Sequence, residues 1–218
     1  MENPVDNFWK IRLLKVKDAL EGNNFDVYVA EGIENVRSIV LDDILPSIDA
    51  KSIAWGGSMT ITTAGLYESL KDERFGFHII DTFDRSIPRE EVVERRRRAL
   101  RADLFVTGTN AVTENGVLVN CDMIGNRVAA ITFGPRHVII VVGRNKIVSN
   151  LDEAMMRIRN YAAPANAMRL GFDTPCATTS YCEDCKSPNR ICNIWTITEK
   201  SFPRGRIKVI LVNEDVGL

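Results

Sequence analysis

An α/β fold with a largely parallel sheet and flanking helices is what this sequence predicts, and three observations predict it. Helical and strand spacings of apolar residues alternate from end to end. The run Val138-Ile139-Ile140-Val141-Val142 is apolar at every position, as a strand covered on both faces requires. At 218 residues, 45% apolar and 26% charged, the chain can build one large core. With no repeat, linker or low-complexity stretch, residues 1–218 read as a single domain.

Phe8 to Leu20 carries apolar residues at helical spacing, and Gly22 stops it. Phe25 to Ala30 reads as a strand, and Glu34 to Leu45 as an amphipathic helix ending before Pro46. Ser52 to Trp55 is a short strand that runs into Gly56-Gly57-Ser58. A helix is expected over Thr60 to Leu70 and a strand over Gly76 to Asp81. Arg89 to Arg101 is helical after Pro88. Its run Arg95-Arg96-Arg97-Arg98 reads as a solvated face, because Glu91–Arg95 and Glu94–Arg98 are favourable i,i+4 pairs. Strands follow at Leu104 to Thr107, Val117 to Asn120, Val128 to Phe133 and His137 to Val142. Leu151 to Leu170 reads as a helix interrupted at Pro164, and Ile194 to Thr198 and Ile207 to Asn213 as closing strands.

The net charge of −1 offers no general attraction for nucleic acid or an anionic membrane. The N-terminus MENPVDNFWK lacks the features of a secretory signal, and no apolar run approaches the roughly 18 residues of a membrane helix. A cytoplasmic location is the expectation. In that setting thiols stay reduced, so the five cysteines do not read as a disulfide framework.

Four of those cysteines cluster as Cys176-x5-Cys182-x2-Cys185-x6-Cys192, in a segment over 174–193 rich in Thr, Ser, Pro and Asn. A CxxC pair with two further thiols suits a tetrahedral or cluster-binding S4 set, so zinc and an iron–sulfur cluster both stand open, beside a redox pair or inert thiols. Cys121, distant in sequence, reads as an ordinary buried thiol.

Two loops are candidates for ligand binding. Gly56, Gly57, Ser58 and Thr60 lie between a strand and a helix, where backbone N–H groups and hydroxyls suit an anion; a tight turn with a helix cap is the alternative. No GxxxxGK[ST] or GxGxxG occurs there, so nucleotide-loop readings have no support. Gly108, Thr109 and Asn110 follow another strand, at the edge where open α/β sheets bind ligands. The loop Gly56 to Thr60 and the segment Thr107 to Glu114 are expected to line one pocket for a small polar or phosphorylated ligand, with Glu114 as base or nucleophile. Asn115-Gly116 also reads as a hairpin turn that would leave Glu114 simply exposed beside it.

Several segments in order resemble the LUD-domain family of the lactate-utilisation protein C type. They are GGSMTITTAGL at 56–66, ERRRRALRADLFVTGTNAVTENGVLV at 94–119, GPRHVIIVVGRNKIV at 134–148 and GRIKVILVNEDVGL at 205–218. The cysteine segment looks like a subgroup feature. The resemblance implies a fold similar to the ribose-phosphate isomerase and CoA-transferase group. It also implies a part in oxidising L-lactate beside iron–sulfur protein partners. Glu114-Asn115-Gly116 looks like the glutamate motif of CoA transferases. Three functions are therefore carried forward: a protein supporting oxidation of lactate or a similar 2-hydroxy acid, a transferase or isomerase using Glu114, and a regulatory or assembly module with structural zinc.

Overall fold

The computed structural model describes residues 3–84 and 86–218. Its strands in chain order are β1 (Asp26–Ala30), β2 (Ser52–Trp55), β3 (His78–Ile80), β4 (Leu104–Gly108), β5 (Ala111–Thr113), β6 (Leu118–Asp122), β7 (His137–Gly143), β8 (Ile147–Val148), β9 (Ile194–Thr198) and β10 (Ile207–Val212). The α-helices are α1 (Pro4–Gly22), α2 (Asn35–Ser38), α3 (Met59–Thr63), α4 (Leu66–Leu70), α5 (Arg89–Ala99), α6 (Asn126–Thr132), α7 (Leu151–Arg157), α8 (Ala163–Leu170) and α9 (Pro175–Thr179). None of the described helices is long and apolar enough to cross a membrane.

Six strands form one sheet in the order β1-β10-β7-β4-β2-β3, and every neighbouring pair is parallel. Alternation along β7 explains its unbroken apolar run. Val138, Ile140 and Val142 join a core with Leu13, Val16 and Leu20 of α1 and with Ala130 and Ile131 of α6. Ile139 and Val141 face the other way, into a core with Val36, Ile61, Leu66 and Leu70. Both faces are thus covered, as parallel sheets require. A second sheet, β8-β5-β6-β9, is mixed and packs its own small core around Ala111, Val119, Ala154 and Ile158.

Several elements depart from the sequence reading, each for a local reason. Residues 128–133 do not form a strand: Arg127 to Ile131 lie in α6. Gly125, at φ +84°, turns the chain, and the Asp122 carboxylate accepts the N–H groups of Arg127 and Val128, which starts a helix. The helix expected over Thr60 to Leu70 is split into α3 and α4 by Gly65. Beyond α2 the chain widens into a π-helical stretch, Ile39–Ile44, and tightens through Leu45–Ser47, which contains Pro46. Pro164 does not interrupt its helix, because a π-helical stretch, Ile158–Ala162, precedes it and α8 begins one residue before it.

Strand order positions the site. From β2 the chain moves outward to β3, then returns to lay β4 on the opposite flank of β2. The connections that leave β2 and β4 therefore run in opposite directions, and the carboxyl ends of these strands are the usual ligand position in open α/β sheets.

Candidate functional site

The loops after β2 and β4 touch. Gly56 donates its N–H to the Val106 carbonyl at 3.1 Å, continuing the strand pairing by one residue. A Cβ added to Gly108 would come 2.5 Å from Ser58 Oγ, and one added to Gly56 would come 2.8 Å from Thr107 Oγ1 and 2.9 Å from Arg127 Cγ. Both glycines are thus required by close approach. Ser58 caps α3, its Oγ accepting the Ile61 N–H at 3.3 Å. Thr60 and Thr107 are buried, and Thr107 Oγ1 has no hydrogen-bond partner among the described residues.

Beneath the Gly108 to Asn110 loop lies Arg127, 8% exposed. Its guanidinium donates to Asp122 Oδ1 at 2.9 Å, the Gly108 carbonyl at 3.0 Å, Asn110 Oδ1 at 2.7 Å, the Cys121 carbonyl at 3.0 Å and Asn120 Oδ1. Thr109 donates to Asn120 Oδ1 at 3.1 Å, and Asn110 Oδ1 also accepts the Cys121 N–H. Thr109 and the side-chain oxygen of Asn110 are therefore engaged within the protein. Together with Arg127 they tie the two sheets at the point where the chain passes from one to the other. The partly buried Arg157 adds a second tie, donating to the carbonyls of Asn110 at 2.7 Å and Asn145 at 3.1 Å.

Lys146 completes the arrangement. It follows β7 in a short 3-10 turn and is 4% exposed. Its Nζ donates to Thr60 Oγ1 at 3.1 Å, and no carboxylate among the described residues lies within 4.0 Å of it. Burial lowers its pKa from 10.5 to about 7, helped by the positive charges of Arg157 and Arg127.

The sequence reading did not include Lys146, Arg127 or Arg157. No local signal marks the first, since Arg144 and Asn145 directly before Lys146 read as a polar turn.

Glu114 is elsewhere. The Asn115-Gly116 hairpin forms as expected, with Gly116 at φ +79° against the backbone of Ala19 and Leu20 in α1. At its tip Glu114, which closes the segment expected to line the pocket, is turned to α1 and ion-paired there with Arg12. The two strand ends thus bring Gly56 and Ser58 against Thr107 and Gly108, with Thr60 tied to Lys146, Thr109 and Asn110 tied to Asn120 and Arg127, Gly57 exposed beside them, and Glu114 not among them.

The cysteine segment starts in α9 and continues without regular structure to β9. Arg190 gathers it, donating to the carbonyls of Cys185 at 2.7 Å and Cys192 at 3.2 Å, with Asp184 as its ion partner. Burial raises the Cys192 thiol pKa; Arg190 opposes the rise, and Cys182 and Cys185 reinforce it. Cys176 stands apart, its Sγ 3.4 Å from Thr174 Oγ1. Among the described residues no group of three or more His, Cys, Asp or Glu is arranged to hold a metal ion. Cys121 lies in β6, partly buried, its thiol pushed up to about 12 chiefly by burial.

A family model described as LUD domain matches residues 13–212. Among solved structures, the chain is similar to a DUF162 family protein from Deinococcus radiodurans. The two share 15% identity, with 94% of this chain and 98% of that one covered, at a TM-score of 0.50. No curated protein matches the chain.

Proposed function

Because the chain belongs to the LUD-domain family, we propose that it supports the oxidation of L-lactate or a similar 2-hydroxy acid. In this reading the edge at the carboxyl ends of β2 and β4 holds the acid, or the 2-oxo acid it becomes. One observation carries it: three buried or partly buried cations, Lys146, Arg127 and Arg157, gather at this edge, and among the described residues only Arg127 has a carboxylate partner, Asp122. An anionic ligand is what such an edge lacks. The Ser58 hydroxyl and the N–H groups of Gly57 and Ser58 are of the right kind to meet a 2-hydroxyl or 2-oxo group. Calorimetric titration with L-lactate, pyruvate and acetate tests this. Lactate or pyruvate should bind at least about tenfold more tightly than acetate, because a site built around a polar group discriminates against an analogue lacking it. Equal or absent binding of all three would sink the reading.

A second reading concerns the cysteines: a metal or iron–sulfur centre that lets the chain work beside iron–sulfur partners, or a structural zinc. Its support is the spacing, with the backbone carbonyls of Cys185 and Cys192 held on one guanidinium, Arg190. As placed, the four thiols do not form a ligand set, and binding would require residues 174–193 to close around the ion. Anaerobically purified protein should carry stoichiometric zinc, or iron with acid-labile sulfide, and lose it on Cys185→Ser. Metal-free protein from such a preparation counts against it.

A further inference from the structure

Lys146 presents three donors and meets one acceptor, the Thr60 hydroxyl. A buried ammonium with two unmatched donors and no counter-charge is among the costlier arrangements a fold can hold, and such arrangements concentrate at functional sites. The surroundings offer no compensation. Arg157 of α7 and Arg127 of α6 add positive charge. Asp122 is committed to Arg127, Asp215 to Arg144, and Glu214 to the Ile33 N–H. No charged residue occurs in α3.

Residues 216–217 cover the amine. Thr60 Oγ1 reaches the Val216 carbonyl at 3.4 Å, Asn145 Nδ2 holds the Gly217 carbonyl at 3.2 Å, and Asn145 Oδ1 accepts the Val216 N–H at 3.2 Å. Gly217 has φ +71°, and a Cβ there would lie 3.0 Å from Lys146 Nζ. Glycine is therefore needed for this cover to seat. The cover rests on a few hydrogen bonds and one buried apolar side chain, Val216.

We propose that Lys146 is the anchor of an oxyanion site at the carboxyl edge of the six-stranded sheet, uncovered when Val216 and Gly217 move aside. The ligand chemistry is a small oxyanion: the carboxylate of a 2-hydroxy or 2-oxo acid, or the phosphoryl group of a small ester. The proposal deepens the reading above and rests on it for the choice of acid. Its physical consequence is linkage. An anion beside Nζ favours the ammonium, so above neutral pH the complex takes up a proton that the free protein lacks. Affinity should therefore rise as pH falls from 8 to 6.

The test uses the whole chain labelled with 13Cε-lysine, titrated by NMR and calorimetry with L-lactate, pyruvate and inorganic phosphate. At saturation the Lys146 resonance should titrate at higher pH, and at pH 8 close to one proton should be taken up per ligand bound. Lys146→Met should bind at least tenfold more weakly, and Lys146→Arg should bind without the proton uptake. Should lactate or pyruvate bind wild type and Lys146→Met alike, the anchor is overturned and the 2-hydroxy-acid reading survives. If only phosphate moves the Lys146 titration, the anchor stands and the 2-hydroxy-acid reading falls. If none of the three moves it, the anchor is overturned outright.

Discussion

Lys146→Met makes the protein more stable, and the gain is largest in mild acid. Methionine fills nearly the volume of the lysine stem and needs no counter-charge. Below pH 7 the wild-type amine is protonated in both folded and unfolded states, so folding carries the full cost of burying an unpaired ammonium. Between about 7 and 10.5 the unfolded chain binds more protons than the folded one, so wild-type stability rises with pH and the advantage of methionine shrinks. A fall from 10.5 to about 7, at about 1.36 kcal/mol per pKa unit, caps this pH-dependent part near 5 kcal/mol. Local relaxation should bring the measured gain to about 2–3 kcal/mol at pH 6. Urea midpoints of the two proteins at pH 6, 8 and 10, at constant ionic strength, measure it. A variant less stable than wild type at pH 6 would mean the ammonium has compensation not recognised above.

Asp122→Ala acts in the opposite direction, with a loss of about 3–5 kcal/mol. The substitution removes the only carboxylate beside Arg127 among the described residues and leaves that guanidinium buried without an ion partner. It also strips the acceptor from the first N–H groups of α6. Asp122→Asn keeps an acceptor oxygen and should lose less. Because Arg127 also holds Gly108 and Asn110, the alanine variant should loosen the loop after β4, seen as faster amide exchange at Thr109 and Asn110. Denaturant unfolding decides the point: a loss under about 1 kcal/mol would mean that Asp122 does not balance the guanidinium.

Much of the fold is legible in the chain. The apolar run from His137 to Val142 announces β7, because only a strand buried on both faces tolerates no polar position. Gly56 and Gly108 announce the two strand ends, since Gly108 is required by the approach of Ser58 and Gly56 by that of Thr107 and Arg127. Val128 to Phe133 misleads because Val128 and Ile131 suit strand or helix equally, and the decision falls to Asp122, four residues before the helix starts and outside the usual capping position. The hairpin at Asn115-Gly116 is written locally, but the Arg12 that claims Glu114 lies 102 residues away. Lys146 is harder still. Lysine defaults to the surface, and its burial depends on Thr60 and Gly217, neither close in sequence.

The place of β10 bears on how the chain folds as it is made. Asp26 of β1 pairs in register with Lys208 of β10, and β10 in turn joins β1 to β7. Synthesis proceeds from the N-terminus, so the first strand has no permanent neighbour until the sixth member of its sheet leaves the ribosome. During that interval α1 and β1 hold apolar residues, among them Leu13, Val16, Leu20 and Val27, whose final partners have not yet been translated. Parallel pairing over so long a sequence separation closes slowly. Until β10 is made, the β1 edge therefore has no sheet partner among the described residues, and unpaired strand edges of this kind are what exposes a growing chain to aggregation and to chaperones.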